Sequence, residues 1–178
     1  MENLSKSVIS KLEEDKISLN LNKYITKFRS IIRSKKKLDS HNFTILKKYV
    51  AGPIFQELIE KLGKLNNTEC IVIGRAIMKT KLINSEQMIL YLLQKGGNIA
   101  IILITCILIK KVKINCKQEI IDFIKSWINS DKIELMHLQL ILILHRNYNG
   151  LEDEEILEFC RKSKHPICKE IISKEDKQ

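Results

Sequence analysis

The stretch LQKGGNIAIILITCILIKK, residues 93–111, decides what kind of molecule this is. From Ile99 to Ile109 it is apolar except for Thr105, so it reads as a membrane anchor, a buried strand or an interior helix. A bilayer-crossing helix needs roughly 18 or more apolar residues. This run is much shorter, with Lys95 before it and Lys110, Lys111 and Lys113 after it. The other apolar run, LQLILILH at 138–145, is shorter still. Met1-Glu2-Asn3 opens into a mixed-charge segment without the pattern of a signal peptide. No membrane association is expected.

Strand and helix remain. Isoleucine favours strands by propensity, but it is abundant throughout the chain and carries little local information. Six glycines and two prolines are too few turn residues for a many-stranded sheet. The run is also long for a strand. Residues 99–109 are therefore expected to form a helix apolar nearly all round, buried on most sides. At 178 residues, with 44% hydrophobic and 29% charged residues, the chain fits one globular domain over 1–178. Residues 1–16 and 173–178 are expected to fray.

The same alternation recurs along the sequence. PIFQELIEKLGKLNNTECIVIGRAIMK (53–79) and MILYLLQKGGNIAIILITCILIKK (88–111) are followed by EIIDFIKSWINSDKIELMHLQLILILHR (119–146) and EILEFCRKSKHPICKEIISK (155–174). Each has one helical pattern, a polar break, and a second, more apolar helical pattern. The breaks KLNNTE, QKGGN, INSDKIE and KSKHP hold residues that stop one helix and cap the next. YITKFRSIIRSKKK (24–37) and NFTILKKY (42–49) form an earlier, less clear pair. Units recur at roughly 31–35 residues, the range of helical repeats. The expected fold is all-α: a right-handed superhelix of stacked helix pairs, HEAT/ARM-like, in which the second helix of each unit lies between its neighbours.

The chemistry-bearing residues form no catalytic pattern. There is no phosphate-binding glycine loop after a strand, and Gly96-Gly97 reads as a helix break. The acidic runs Glu13-Glu14-Asp15 and Glu152–Glu155 come with no apolar pocket to raise a carboxyl pKa. The grouping Cys160-x4-His165-x2-Cys168, with His145 upstream, matches no tetrahedral zinc spacing. A buried thiol and a helix-capping His-Pro turn are the expected reading, with no metal and no cofactor. Five scattered cysteines fit free thiols in a reducing compartment. The chain is expected to be non-enzymatic.

Binding is the remaining class. The net charge is +10, concentrated near the start around Lys27, Arg29, Arg33, Lys35, Lys36 and Lys37, whereas LEDEEILE (151–158) is acidic. This polarity fits an anionic partner, either nucleic acid or an acidic peptide, or simply a solvated lysine-rich surface. Arg29, Arg33, Lys35, Lys36 and Lys37 are the candidate nucleic-acid contacts. Only Phe28 lies near them, fewer aromatics than single-strand binding calls for. The acidic segment is a candidate to fold back on the basic region.

The order of LDSHNFTILKKYVAGPIFQELIEKL (38–62), VIGRAIMKTKLINSEQMILYLLQKGGNIAIILITCILIKK (72–111) and EIIDFIKSWINS (119–130) is similar to the core of the Iws/Spn family of transcription elongation factors. The second half of that core is the helical domain shared with the TFIIS N-terminus. The resemblance spans roughly residues 8–155 and rests mainly on Gly96-Gly97, Ile99–Lys111 and Trp127 in IKSW, with RNYNGLEDEE (146–155) following the tryptophan. The family places Gly-Ile-Gly-Arg or -Lys at the break, where this chain has Gly96-Gly97-Asn98-Ile99; Lys95 or Lys110 would substitute. The helices after residue 132 also depart from it. The resemblance implies a nuclear adaptor of RNA polymerase II elongation that binds a disordered acidic-aromatic segment of a histone chaperone. The groove residues it suggests here are Tyr49, Phe55, Leu92, Lys95, Lys110, Lys111 and Trp127. The alternative is a basic helical-repeat protein on RNA, ribosome or other nucleic acid, nuclear or cytoplasmic.

Overall fold

The computed structural model describes residues 20–128, 133–148 and 152–175. Among these every regular element is a helix: α1 (20–35), α2 (Ser40–Ala51), α3 (Phe55–Leu62), α4 (Asn67–Met78), α5 (Ser85–Lys95), α6 (Gly97–Leu108), α7 (Lys117–Ile128), α8 (Leu135–Asn147), α9 (Glu154–Lys162) and α10 (Pro166–Glu175). The expected fraying of 1–16 lies outside the described residues, as does most of the INSDKIE break. Residues 173–175 belong to α10.

The caps explain the boundaries. Asp39 accepts the Asn42 N–H at 2.8 Å to start α2. Asn66 and Glu69 form a reciprocal capping box at α4, each accepting the other's backbone N–H, at 2.9 and 3.0 Å. Asp153 accepts the Ile156 N–H to start α9. The turn from α5 to α6 has a single residue outside either helix. Gly96 and Gly97 make it with φ of 65° and 73°, which a side chain would penalise.

The helices pack in two rows. α4 lies between α2 and α6, and α8 between α6 and α10; in the other row α5 lies between α3 and α7, and α7 packs on α9. α6 thus has α4 on one flank, α8 on the other and α5 against it. Ala100, Ile101, Leu103, Ile104, Ile107 and Leu108 are buried there, and Thr105 satisfies its hydroxyl on the Ile101 carbonyl at 2.7 Å. This is why residues 99–109 are apolar almost all round. α1 meets α2, with the Tyr24 hydroxyl donating to the Asn42 carbonyl at 2.9 Å.

Candidate interaction surface

The outward side of α4, α6 and α8 differs from ordinary protein surface. On α4 the residues left outside the core include Ile71, Arg75 and Met78, spaced i, i+4 and i+7 in one stripe. Ile71 is 50% and Met78 38% exposed. On α6 the corresponding stripe is Ile102 and Cys106, partly buried, continuing into exposed Ile109. On α8 it is Leu135, Gln139, Ile143 and Arg146. The helices approach closely: a Cβ placed on Gly74 would lie 2.8 Å from Cys106 Sγ.

Their carboxyl ends meet. Lys110 Nζ donates to the Met78 carbonyl at 2.9 Å, offsetting the negative end of α4. The Asn147 amide donates to the Leu108 carbonyl at 3.1 Å, and the Tyr148 hydroxyl to the Val112 carbonyl at 2.9 Å. Around this edge stand Lys79, Lys81, Lys110, Lys111 and Lys113. The single acid of α4, Glu69, is 3% exposed and pairs with Arg29 at 3.3 Å; α6 and α8 contain no carboxylate. The outward stripes of the three helices are therefore apolar with a cationic rim and carry no acidic side chain, although Glu134 caps α8 beside Leu135 and Glu170 of α10 pairs with Arg146.

The groove residues inferred from the sequence fall in separate places. Leu92 and Lys95 come together at the end of α5, lining a cleft of about 260 Å³ with Ile59, Gly63, Ile99 and Ala100. Lys95 also stands over the Tyr91 ring at 5.5 Å. Lys110 and Lys111 sit at the opposite end of α6, a helix whose twelve residues span about 18 Å. Lys111 adopts a left-handed conformation at φ 54°. Tyr49 packs its ring 5.0 Å from Tyr24. Phe55 is a fully enclosed core residue at 1% exposure. Trp127 meets His137 edge-on at 4.5 Å, pinning α7 to α8.

The basic residues divide similarly. Arg29 is engaged internally: its guanidinium donates to the Leu62 and Lys64 carbonyls and pairs with Glu69, closing the end of α3. Arg33 lies between two shallow depressions, one lined by Lys36, Asn66, Asn67 and Thr68 and the other by Ile25, Thr26 and Ser30. Lys35, Lys36 and Lys37 are exposed at the turn into α2. The acidic segment after residue 151 meets bases close by: Asp153 and Glu155 take Lys125, at 3.0 and 3.3 Å, Glu154 takes Arg161 and Glu158 takes Lys162. No group of three or more His, Cys, Asp or Glu side chains among the described residues is placed to hold a metal ion, and no described helix is long and apolar enough to cross a membrane.

Sequence reasoning passed over Ile71, Met78, Ile102, Ile109 and Ile143. In α4 apolar residues occur on both sides, so the outward stripe looks the same as the inward one until the packing partners are known. No protein-family model and no curated protein matches the chain.

Proposed function

We propose that this chain is a non-enzymatic protein-interaction module whose α4–α6–α8 face receives an apolar segment of a partner protein flanked by acidic residues. The observation that carries this reading is the coincidence of exposed Ile71, Met78, Ile109 and Leu135 with a lysine rim and the lack of any carboxylate on the three helices' outward stripes. Apolar anchors would enter between the stripes while acidic flanks meet Arg75, Lys110 and Lys111. The alternating packing of the two rows supports a right-handed HEAT/ARM-like superhelix, and the row that contains α6 is then its ligand-binding side. Taken with the resemblance to the Iws/Spn core, the partner is a disordered acidic-aromatic segment of a histone chaperone in the polymerase II elongation complex, met in the nucleus.

The test is fluorescence anisotropy with a labelled acidic peptide carrying spaced Phe and Tyr. Losing one buried aliphatic contact costs on the order of 1.5–3 kcal/mol, so Ile71→Asp and Met78→Asp should each weaken binding roughly tenfold to a hundredfold. Unchanged affinity in both variants would remove this face from the proposal. A second reading rests on Arg33 and Lys36, whose side chains flank a depression beside Asn67 and Thr68. It makes the chain a nucleic-acid binder. Affinity for RNA that falls log-linearly with salt, and is lost in Arg33→Ala and Lys36→Ala, would favour it.

A further inference from the structure

Two loops, residues 79–84 and 109–116, leave the carboxyl ends of α4 and α6, and both alternate inward and outward side chains. In the first, Leu82 packs against the core while Lys79, Lys81 and Ile83 stand exposed. In the second, Val112, Ile114 and Cys116 turn to the core while Lys111, Lys113 and Asn115 stand exposed. The loops are tied together near both ends. Lys110 Nζ donates to the Met78 carbonyl at 2.9 Å, and the Asn115 amide donates to Glu86 at 3.2 Å. The Tyr148 hydroxyl, donating to the Val112 carbonyl at 2.9 Å, also fixes the second loop. No carboxylate occurs in 79–85 or 109–118; the nearest acid after the first stretch is Glu86, which takes Asn115. Ile83 is 75% exposed, more than Ile71, Met78, Ile109 or Leu135. Met78 and Ile109, at the roots of the loops, join this ledge to the α4–α6–α8 face.

We infer, resting on the reading of α4–α6–α8 as a docking face, that this ledge takes the acidic part of the partner segment in extended form, on one side of its apolar anchors. In an extended chain alternate side chains share one side, at a rise of about 3.3 Å per residue. The outward residues of both loops alternate in the same way. Acids at alternate positions of the segment thus meet Lys79 and Lys81 on one loop and Lys111 and Lys113 on the other, and an apolar residue among them meets Ile83. Lysine is a point charge without the bidentate fork of arginine, so the ledge selects charge and spacing rather than aspartate over glutamate. The opposite ends of the helices offer less. α8 begins after Glu134 and α6 with Gly97-Asn98, while Lys95, just before α6, stands over the Tyr91 ring and lines the cleft with Ile59. Arg33 and Lys36 flank the start of α4, but beside Asn66, Asn67 and Thr68 rather than an exposed large apolar side chain.

The experiment uses the full chain and synthetic peptides with Phe and Tyr anchors, with or without a tail of alternating Asp and Ser placed before or after them. The tighter tailed binder carries a nitroxide at the far end of its tail, and amide signals of the nitrogen-15-labelled protein are followed. Broadening is expected at Lys81, Ile83 and Lys113, with Asn98 and Leu135 unaffected. By anisotropy, Lys81→Ser with Lys113→Ser should weaken the tailed peptide roughly three- to tenfold and leave the tail-less one unchanged. Both side chains are exposed, and circular dichroism checks that the variant is folded. Broadening at Asn98 and Leu135, or at Arg33 and Lys36, would overturn the ledge while leaving the docking face in place. So would equal weakening of tailed and tail-less peptides, or a ledge that binds duplex RNA with log-linear salt dependence and ignores the tail. If neither peptide binds, or both bind Ile71→Asp as they bind wild type, the docking reading itself falls and the ledge with it.

Discussion

Gly74 is where the close approach of α4 to α6 is decided. Its missing side chain leaves room for Cys106 Sγ, which an added Cβ would meet at 2.8 Å, with Cys106 Cβ next at 3.9 Å. Gly74→Ala combines two opposing effects: overpacking costs about 1–3 kcal/mol, and alanine gains about 1 kcal/mol in helix propensity. The substitution is expected to destabilise the wild type, measured by urea unfolding. In a Cys106→Ala background, where only the 3.9 Å contact remains, it should stabilise by up to about 1 kcal/mol. The same sign in both backgrounds would show that Cys106 is not what Gly74 accommodates. Arg29 shows the limit of reading single residues from sequence. Its charge was legible as an anion-binding feature, but its partners, the Leu62 and Lys64 carbonyls and Glu69, lie more than thirty residues away in the chain. Phe55 and Leu92 have the residue types of ligand anchors and the burial of core residues, because both roles demand the same apolar chemistry.

At the level of elements, helix ends carry the specificity. α1 stops at Lys36, whose N–H bonds the Ile32 carbonyl at 3.0 Å in a left-handed conformation, φ 58°. Glycine accepts that conformation without the roughly 1–2 kcal/mol cost an L side chain incurs. Lys36→Gly should therefore raise stability by up to about 1 kcal/mol, and Gly97→Ala, at φ 73°, should lower it by a similar amount. Equal unfolding midpoints for wild type and both variants would refute this account of the ends. The helix ends were also the most legible feature of the sequence. KLNNTE, QKGGN and KSKHP coincide with the gaps before α4, α6 and α10, because their capping and left-handed residues act locally. Which stripe of α4 faces outward was not legible, since Ile71 and Met78 match Ile73 and Ile77 in chemistry. Only the neighbours α2 and α6 distinguish the two sides.

For the whole molecule, the buried thiols set a limit on the alkaline side. Burial raises Cys70, Cys106 and Cys116 from 9.0 to about 11, so the folded chain holds these protons at pH values where the unfolded chain has released them. Where the native state binds more protons, stability falls as pH rises. Their contribution is complete below about pH 9 and lost towards pH 11; Tyr91 and Tyr148, pushed up to about 12 by burial, extend the same trend. Cys168 is held low and works in the opposite sense, but its window closes below the ordinary thiol value of 9.0. Under reducing conditions the urea midpoint should show no decline up to about pH 9 and should fall beyond it. A midpoint flat to pH 10.5 would contradict this, and Cys70→Ala with Cys116→Ala should lessen the slope. The enclosure of α6 has a consequence for synthesis. A nascent chain that has passed Cys116 but not yet made α8 carries a finished, uncharged helix with one flank bare. Until about thirty more residues emerge, it depends on the ribosome surface or a holdase to keep that flank from other chains. Premature termination anywhere in that interval should leave aggregates rather than a smaller working protein.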